Sequence, residues 1–204
     1  TDVVIDAYST KFTDNPAQPL YYVLFLNGDL QFVSSYEEYY HEFFAHVPIA
    51  KSRAIPKRVL VMGAGDGLLI RELVKHPDIE TIVHVDLDRK LVDLAKSHPI
   101  LRTMNEGSMD DPRIQTHFDD AYRYIRNSTE SFDAIFLDFP YPNDYNLSKL
   151  YSREFYHFVR QRLAPHGFMV LDTPGLSRGS EIRRIYENTI RAAGFEGVMP
   201  YVAM

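Results

Sequence analysis

The amino-acid sequence predicts an α/β protein whose main part is a doubly wound, Rossmann-like sheet, preceded by a small β-hairpin region. From residue 58 onward, runs of apolar and β-branched residues alternate with segments of helical periodicity. A glycine-rich turn, Gly-Ala-Gly-Asp-Gly at residues 63–67, follows the first of these runs directly. Asn27-Gly28 separates two short apolar runs, which is typical of a β-hairpin. Because alternating strands and helices form parallel sheets with right-handed crossovers, we expect helices on both faces.

The chain is predicted to divide near residue 50. Residues 1–50 would form the hairpin region and a linking helix, and residues 51–204 the Rossmann-like domain, with a basic, proline-containing connector at 50–56. Residues 197–204 resemble the start of a further strand with no partner strand after it. This ending favours the view that the chain is a soluble piece of something longer.

The N-terminal elements follow from local signals. The Asn-Gly turn predicts that residues 23–26 pair with residues 30–33. Residues 35–38, Ser-Tyr-Glu-Glu, have the form of a capping box and predict a helix that runs to His46 and ends before Pro48. The elements predicted for the whole chain are strands at 3–5, 21–26, 30–33, 58–62, 81–86, 113–117, 132–137 and 168–171, a turn at 13–16, and helices at 35–46, 68–75, 89–96, 121–126, 151–163 and 181–193.

Composition narrows the classes of function. With 204 residues and 45% hydrophobic content, the chain can bury one domain core plus a small appendage. A net charge of -6 argues against nucleic-acid binding and suits a cationic substrate. Without cysteine there is no disulfide framework and no thiolate metal site, and we predict no metal. No apolar run approaches the ~18 residues of a membrane span, so we expect a cytoplasmic location.

The glycine turn indicates a nucleoside ligand. A strand, a tight glycine turn and a helix present free backbone N–H groups to a ligand. A dinucleotide fingerprint would have its third glycine at residue 68, which is Leu68, and Asp66 in the turn would repel a diphosphate. A cationic ligand such as a sulfonium or an ammonium fits better. The alternative is that the glycines only pack the helix on the strand.

Acidic residues follow the predicted strands. Asp86 ends the second strand of the domain about 20 residues after the turn, where a ribose hydroxyl pair is bound in related folds. Ligands of doubly wound sheets lie at the carboxyl ends of the strands. We therefore expect Asp66, Asp86, Asp120 and Asp138 to converge at one edge, forming an S-adenosyl site.

Several motifs, in this order, resemble the spermidine synthase (polyamine aminopropyltransferase) family. They are Leu-Phe-Leu-Asn-Gly-Asp-Leu-Gln at 24–31, Tyr-His-Glu at 40–42, the turn at 63–67, Val-Asp-Leu-Asp at 85–88, Asp-Pro-Arg at 111–113, Asp-Asp-Ala at 119–121 and Leu-Tyr-Ser-Arg-Glu-Phe-Tyr at 150–156. The resemblance covers about Leu24 to Gly167. It is nearest to the branch in which this domain follows a membrane-spanning region, and it implies a fold of the S-adenosylmethionine-dependent methyltransferase type.

The resemblance implies transfer of an aminopropyl group from decarboxylated S-adenosylmethionine to a polyamine or related amine, without a metal. It assigns donor binding to Gln31, Gly63, Gly65, Asp86, Asp120 and Ala121, amine binding to His41, Asp66 and Tyr141, and proton acceptance to Asp138. It leaves open a homodimer and a membrane-spanning region outside this chain.

The sequence departs from the family pattern at two places. Tyr141 occupies the position of a second family carboxylate, and Asp172 occupies that of a glutamine, so Asp144 or Asp172 would have to supply the lost charge. Gln31 is alternatively an exposed strand residue, and Asp120 a helix N-cap. Aromatic residues at helical spacing favour core packing over a cation cage; they are Tyr36, Tyr40, Phe43 and Phe44.

Two other functions remain open at this point. The same turn and acidic strand end would serve a methyltransferase using S-adenosylmethionine, although Asp66 would repel the carboxylate of that donor. A non-catalytic nucleoside- or polyamine-binding domain of a larger membrane protein would also share the fold.

Overall fold

The structure, a computed structural model, describes residues 1–8, 21–142, 145–173 and 181–201. The strands are β1 (Val3–Tyr8), β2 (Tyr21–Leu26), β3 (Asp29–Val33), β4 (Arg58–Gly63), β5 (Thr81–Asp86), β6 (Ile114–Phe118), β7 (Phe132–Asp138) and β8 (Leu163–Leu171). The α-helices are α1 (Glu37–Lys51), α2 (Leu68–Val74), α3 (Arg89–Ser97), α4 (Pro99–Met104), α5 (Ala121–Asn127), α6 (Tyr145–Ser148), α7 (Arg153–Gln161) and α8 (Glu181–Ala192).

A three-stranded antiparallel sheet, β1-β2-β3, forms the N-terminal region. The β2–β3 hairpin turns at Asn27 and Gly28, which both have positive φ, 52° and 86°, as a two-residue primed turn requires. Val23 pairs with Val33 and Leu26 with Asp29. The predicted hairpin is confirmed, whereas the turn predicted at 13–16 lies outside the described residues.

The main sheet confirms the predicted doubly wound fold. Its five strands are parallel in the order β6-β5-β4-β7-β8, so successive crossovers run outward on either side of β4. The chain reverses its direction of winding between β4 and β7, which makes the carboxyl ends of these two strands the topological switch point. Ligands of such sheets bind at this position.

The central strands are apolar on both faces because helices cover both faces. Residues 59–62 of β4 and 134–136 of β7 are 0% exposed. One face packs against α1 and α2 and the other against α5, α7 and α8. Phe136 contacts the rings of Phe44 and Phe168, and truncating such a fully buried ring to alanine costs about 3–5 kcal/mol.

Helix α1 corrects two expectations. No side chain caps its N-terminus, because the helix begins at Glu37 and the N-cap position is Tyr36 rather than Ser35. The helix also continues through Pro48 to Lys51. Burial of Phe44 and of the residues facing the sheet compensates for the hydrogen bond that a helical proline loses. The capping box and the stop before Pro48 were therefore wrong.

The sequence pattern missed the short elements α4 and α6, which are too brief to show periodicity. Among the described residues, 197–201 form no strand, contrary to expectation, and Pro200 cannot donate a ladder hydrogen bond. The division at residue 50 stays a prediction. Within the described ranges, no helix is long and apolar enough to cross a membrane.

Candidate active site

The glycine turn lies at the switch point because β4 ends directly beside the end of β7. Gly63 is the register partner of Asp138 and has φ 85°. A Cβ at Gly63 would overlap the backbone carbonyl of Asp138, and a Cβ at Gly65 would lie 2.7 Å from Oδ2 of Asp86. Both glycines are therefore required by close approach to the two acidic strand ends.

Polar residues that follow α4 along the chain hold the turn. Asn105, fully buried, donates from Nδ2 to the backbone oxygen of Asp66 at 3.0 Å and to that of Ala95 at 2.9 Å. The hydroxyl of Ser108 donates to the oxygen of Gly67 at 3.0 Å. Oδ1 of Asp66 accepts from the backbone N–H of Leu68 at 2.9 Å, at the start of α2. The carboxylate is thus fixed in the turn.

Asp86 ends β5 as a nearly buried carboxyl group, 9% exposed. Its Oδ1 accepts from the backbone N–H of Asp88 at 2.7 Å, and its Oδ2 lies beside Gly65. Burial, helped by the charges of Asp88, Asp66 and Asp138, raises the pKa of Asp86 to about 7. A carboxyl group with this pKa is available to bind hydroxyl groups in its ionised form only near neutral pH and above.

Asp138 ends β7 and is joined to helix α1. The hydroxyl of Tyr40 donates to Oδ1 of Asp138 at 2.7 Å. Burial raises the pKa of Asp138 to about 6; the nearby charge of His41 and the Tyr40 hydrogen bond oppose this, and Asp66 and Asp172 reinforce it. Such a carboxylate is a stronger base than an ordinary aspartate and is still ionised at neutral pH.

His41 lies one residue beyond Tyr40 on α1 and is 4% exposed. Its Nδ1 lies 2.8 Å from the backbone oxygen of Glu37 and 2.8 Å from Oε2 of the same residue. Burial disfavours the imidazolium, but the hydrogen bond with Glu37 and the charges of Asp66 and Asp138 outweigh it and raise the pKa of His41. A histidine that holds its proton more tightly than usual thus lies beside the carboxylates Asp66 and Asp138.

Tyr141 and Asp172 form a second pair at the same edge. The half-exposed Tyr141 donates from its hydroxyl to Oδ2 of Asp172 at 3.0 Å, directly after β8. Burial, followed by the charge and hydrogen bond of Asp172, raises the pKa of Tyr141 to about 12. Asp172 also acts electrostatically on Asp138 and Tyr40. Asp144, the other candidate for the missing charge, lies outside the described residues.

Asp120 follows β6 at this edge, whereas Gln31 lies on β3 of the N-terminal sheet. Asp120 caps α5 by accepting the N–H of Arg123 at 3.0 Å, and its Oδ2 is 2.6 Å from Nζ of Lys149. Ala121 begins α5. Gln31 is exposed on β3 and donates to the backbone oxygen of Asp29 at 3.1 Å. The N-cap and exposed-strand interpretations describe these two side chains, and their roles in nucleoside binding stay predictions.

Comparisons with known proteins bear on this arrangement. Residues 37–204 match the model of the spermine/spermidine synthase domain. The chain belongs to the spermine/spermidine synthase family. Polyamine aminopropyltransferase 1 of Streptomyces coelicolor is 38% identical over 194 residues, covering 95% of this chain and 35% of that protein. The polyamine aminopropyltransferase of Leptospira interrogans is 36% identical over 172 residues, covering 84% of this chain and 34% of that protein.

Solved structures show the same fold. A spermidine synthase in complex with the transition-state analogue AdoDATO superposes with a TM-score of 0.75 at 26% identity, covering 93% of this chain and 61% of that one. Spermidine synthase from Thermotoga maritima gives a TM-score of 0.73 at 26% identity, with 93% and 60% covered. The chain spans about a third of the length of the curated relatives it matches.

Within this family domain, the structure brings together most of the residues selected from sequence. Electrostatic interactions couple the carboxylates of Asp66, Asp86 and Asp138 at the strand ends, and His41 interacts with two of them. Asp120 lies further along the edge. Tyr40 was expected only to pack in the core, yet its hydroxyl binds Asp138. The expectation of core packing was wrong for Tyr36, which is 68% exposed.

Proposed function

We propose that this chain carries an aminopropyltransferase site that moves an aminopropyl group from decarboxylated S-adenosylmethionine to a polyamine or related amine. The observation that carries the proposal is Asp138, a carboxylate with a pKa of about 6 at the switch point, held by Tyr40 and surrounded by other carboxylates. Their negative potential suits two cations, a sulfonium and an ammonium. The family match supports the reaction class.

The reaction is a displacement at carbon. The amine nitrogen attacks the carbon next to the sulfonium sulfur, a C–N bond forms and the C–S bond breaks, with its electron pair going to sulfur. The products are the extended amine and neutral methylthioadenosine. The attacking amine must first lose a proton, and Asp138 is the acceptor. Holding both reactants at one sheet edge supplies much of the rate enhancement.

The remaining residues are assigned by position. Asp86 would accept the ribose hydroxyls. Gly63 and Gly65 would bind the donor through the backbone of the turn, which they hold close to Asp138 and Asp86. Asp120, Ala121 and Gln31 would contact the nucleoside further along the edge. His41, Asp66 and Tyr141, with Asp172 behind it, would face the amine. A homodimer, a membrane-spanning region outside this chain and a cytoplasmic location remain predictions.

Calorimetry with three nucleosides tests the donor: decarboxylated S-adenosylmethionine, S-adenosylmethionine and methylthioadenosine. We expect the decarboxylated donor to bind more tightly than S-adenosylmethionine, because the carboxylates Asp66, Asp86 and Asp138 repel the carboxylate that the latter retains. Mass spectrometry of amine products then identifies the transferred group. Tighter S-adenosylmethionine binding with methylated products would establish a methyltransferase, and binding without any transfer would establish a non-catalytic domain.

The variant Asp138→Asn tests the base. It keeps the shape of the side chain and removes the proton acceptor, so transfer should fall by ~10²- to 10⁴-fold. Methylthioadenosine affinity should change little, since Asp86 is unaltered. Undiminished transfer by a folded Asn variant would show that another group accepts the proton.

A further inference from the structure

The contacts of His41 determine which of its ring nitrogens carries hydrogen. Nδ1 lies 2.8 Å from the backbone carbonyl oxygen of Glu37, within the same helix. A carbonyl oxygen can only accept, so Nδ1 must donate whatever the charge on the ring. The Glu37 carboxylate, also 2.8 Å from Nδ1, accepts the same hydrogen. The neutral form of His41 is therefore the Nδ1–H tautomer, in which Nε2 carries no hydrogen.

Glu37 is itself clamped in a buried ion pair. Arg71 on α2 donates from both terminal nitrogens, at 2.8 Å to Oε1 and 3.0 Å to Oε2 of Glu37. Arg71 also donates to the oxygen of Met104 at 2.7 Å and to Oε1 of Glu72 at 2.6 Å. Glu37 and Arg71 are each 6% exposed and Glu72 is 0% exposed. Such a network fixes a carboxylate in place and keeps it ionised.

Groups from two other elements and one neighbour on α1 face His41. Asp66 in the turn after β4 and Asp138 at the end of β7 act on it electrostatically, and the ring of Tyr40 meets it edge-on at 5.0 Å. In return, the charge of His41 lowers the pKa of Asp138 against the effect of burial. A proton on His41 therefore influences the ionisation of the proposed base.

We propose that Glu37, clamped by Arg71, is a positioning residue: it keeps His41 protonated on Nδ1 and thereby sets the positive charge that His41 presents to Asp138. Neither Glu37 nor Arg71 contacts the strand-end carboxylates; both act through His41. The consequence for rate rests on the proposed aminopropyl transfer, whereas the consequence for the ionisation of His41 and Asp138 does not.

Nuclear magnetic resonance of the wild-type chain gives the first test. The ring nitrogen shifts of His41, assigned by comparison with His41→Gln, should show the Nδ1–H tautomer at alkaline pH. An Nε2–H tautomer would overturn the proposal without any variant having to fold.

Substitutions of Glu37 and Arg71 should shift the pKa of His41 in opposite directions. Glu37→Gln keeps the hydrogen-bond acceptor but removes its charge. The pKa of His41 should therefore fall by about one unit, and the pKa of Asp138 should rise. Arg71→Met leaves the Glu37 charge without its counter-ion, so His41 should titrate higher. Glu42→Gln, an exposed position on the same helix, should match wild type. If Glu37→Gln alone does not fold, the double variant Glu37→Gln/Arg71→Met removes both buried charges and should still lower the pKa of His41.

Three results would overturn the inference: an unchanged His41 titration in a folded Glu37→Gln chain, a shift in the same direction in both single variants, or an equal shift in Glu42→Gln. The rate readout follows. In Glu37→Gln, the acid limb of the kcat/KM profile should shift to higher pH together with the pKa of Asp138. At a given pH on that limb, kcat/KM should fall about tenfold, with little change at high pH. Absence of transfer in wild type would contradict the proposed function, while the titrations would still decide this inference.

Discussion

The hydroxyl of Tyr40 donates a 2.7 Å hydrogen bond to Oδ1 of Asp138, joining two residues 98 positions apart in the chain. Helix α1 stacks Tyr40 on the buried ring of Phe44, at 5.3 Å between centroids, and so holds the hydroxyl at the end of β7. Burial, followed by the charges of Asp138 and Asp172, raises the pKa of Tyr40 well above its ordinary value. Tyr40 therefore remains a donor at any physiological pH, and it stabilises the ionised form of Asp138.

Replacing Tyr40 by Phe should weaken the proposed base at low pH. Loss of the donated hydrogen bond, worth ~1.5–3 kcal/mol to a charged group, raises the pKa of Asp138 above about 6. We expect kcat/KM to fall roughly ten- to hundredfold below pH 6 and less above pH 8. Tyr39→Phe, at a 55% exposed neighbouring position, is the control. A pH profile identical to wild type would show that the hydroxyl does not affect the base.

Nucleoside binding should depend on pH through Asp86. Its carboxyl group has a pKa of about 7 and must be ionised to accept two ribose hydroxyls. Methylthioadenosine affinity should therefore rise as pH increases from about 6 to about 8, with proton release on binding. Calorimetry in two buffers of different ionisation enthalpy measures this release, which should vanish in Asp86→Asn along with ~1.5–3 kcal/mol of binding free energy. Binding that is independent of pH in wild type would contradict the assignment.

The same group should make folding stability depend on pH. The folded pKa of Asp86, about 7, lies above the unfolded value of 3.8, so the folded state holds the proton more tightly. The contribution of Asp86 to the free energy of unfolding is fully present below pH 4 and is lost as pH rises through 7. It amounts to roughly 4 kcal/mol in total. Asp86→Asn should remove that dependence, so urea unfolding should show wild type losing stability relative to the variant between pH 4 and pH 8. A difference in unfolding free energy between wild type and Asp86→Asn that stays constant across this pH range would show that burial does not raise the pKa of Asp86.

Two glycines with nearly the same φ should respond differently to alanine. Gly28 in the hairpin has φ 86° and open space around its added Cβ, so Gly28→Ala should cost only the ~1–2 kcal/mol of the left-handed conformation. Gly63 has φ 85°, but its Cβ would overlap the Asp138 backbone. Gly63→Ala should cost at least twice as much free energy of unfolding and also reduce nucleoside affinity. Equal losses of unfolding free energy in the two variants, measured by urea unfolding, would show that β4 and β7 can move apart at the switch point without a further free-energy cost.

The sequence predicted the elements whose signals are local. The Asn27-Gly28 hairpin, the glycine turn and the apolar strands carry their own turn chemistry or periodicity. The strand-end carboxylates followed from topology alone, since parallel strands place their ends at one edge. Helix α1 was predicted to end too early because a proline inside a helix is tolerated only when packing compensates, and packing is not visible in sequence.

The side-chain network behind the site could not be predicted in the same way. Glu37 lies inside the predicted capping-box segment without a role in it, and its partner Arg71 lies 34 residues later on another helix. Tyr40 has the spacing of a core aromatic residue, and only the register of α1 against β7 shows that its hydroxyl reaches Asp138. Asn105 belongs to no motif, although it binds the backbone oxygen of Asp66. Each contact depends on tertiary placement, for which pairwise spacing carries no signal.

Tyr141 and Asp172 lie at the proposed amine end of the site. The sequence shows a tyrosine where the family resemblance implies a second carboxylate, and the structure places Asp172 3.0 Å from its hydroxyl. In the proposed function, Asp172, directly after β8, supplies the negative charge at this end. Because the Tyr141 hydroxyl already donates to one oxygen of Asp172, that carboxylate has less capacity left for an ammonium group. We therefore expect putrescine, a diammonium, to be a poor substrate of wild type.

Tyr141→Asp should raise affinity for putrescine by roughly fivefold to tenfold, because a charged hydrogen bond of ~1.5–3 kcal/mol replaces a cation–π contact of ~0.5–2 kcal/mol. The gain should shrink at high salt, since the new attraction is between charges near the surface. Tyr141→Phe, which keeps the ring and releases Asp172, should fall between wild type and the aspartate variant. Asp172→Asn should lower amine affinity in either background. Steady-state KM values for putrescine in wild type and these variants test both assignments. Efficient use of putrescine by wild type that survives Asp172→Asn would show that Asp172 does not bind the amine. No gain in affinity in Tyr141→Asp would show the same for residue 141.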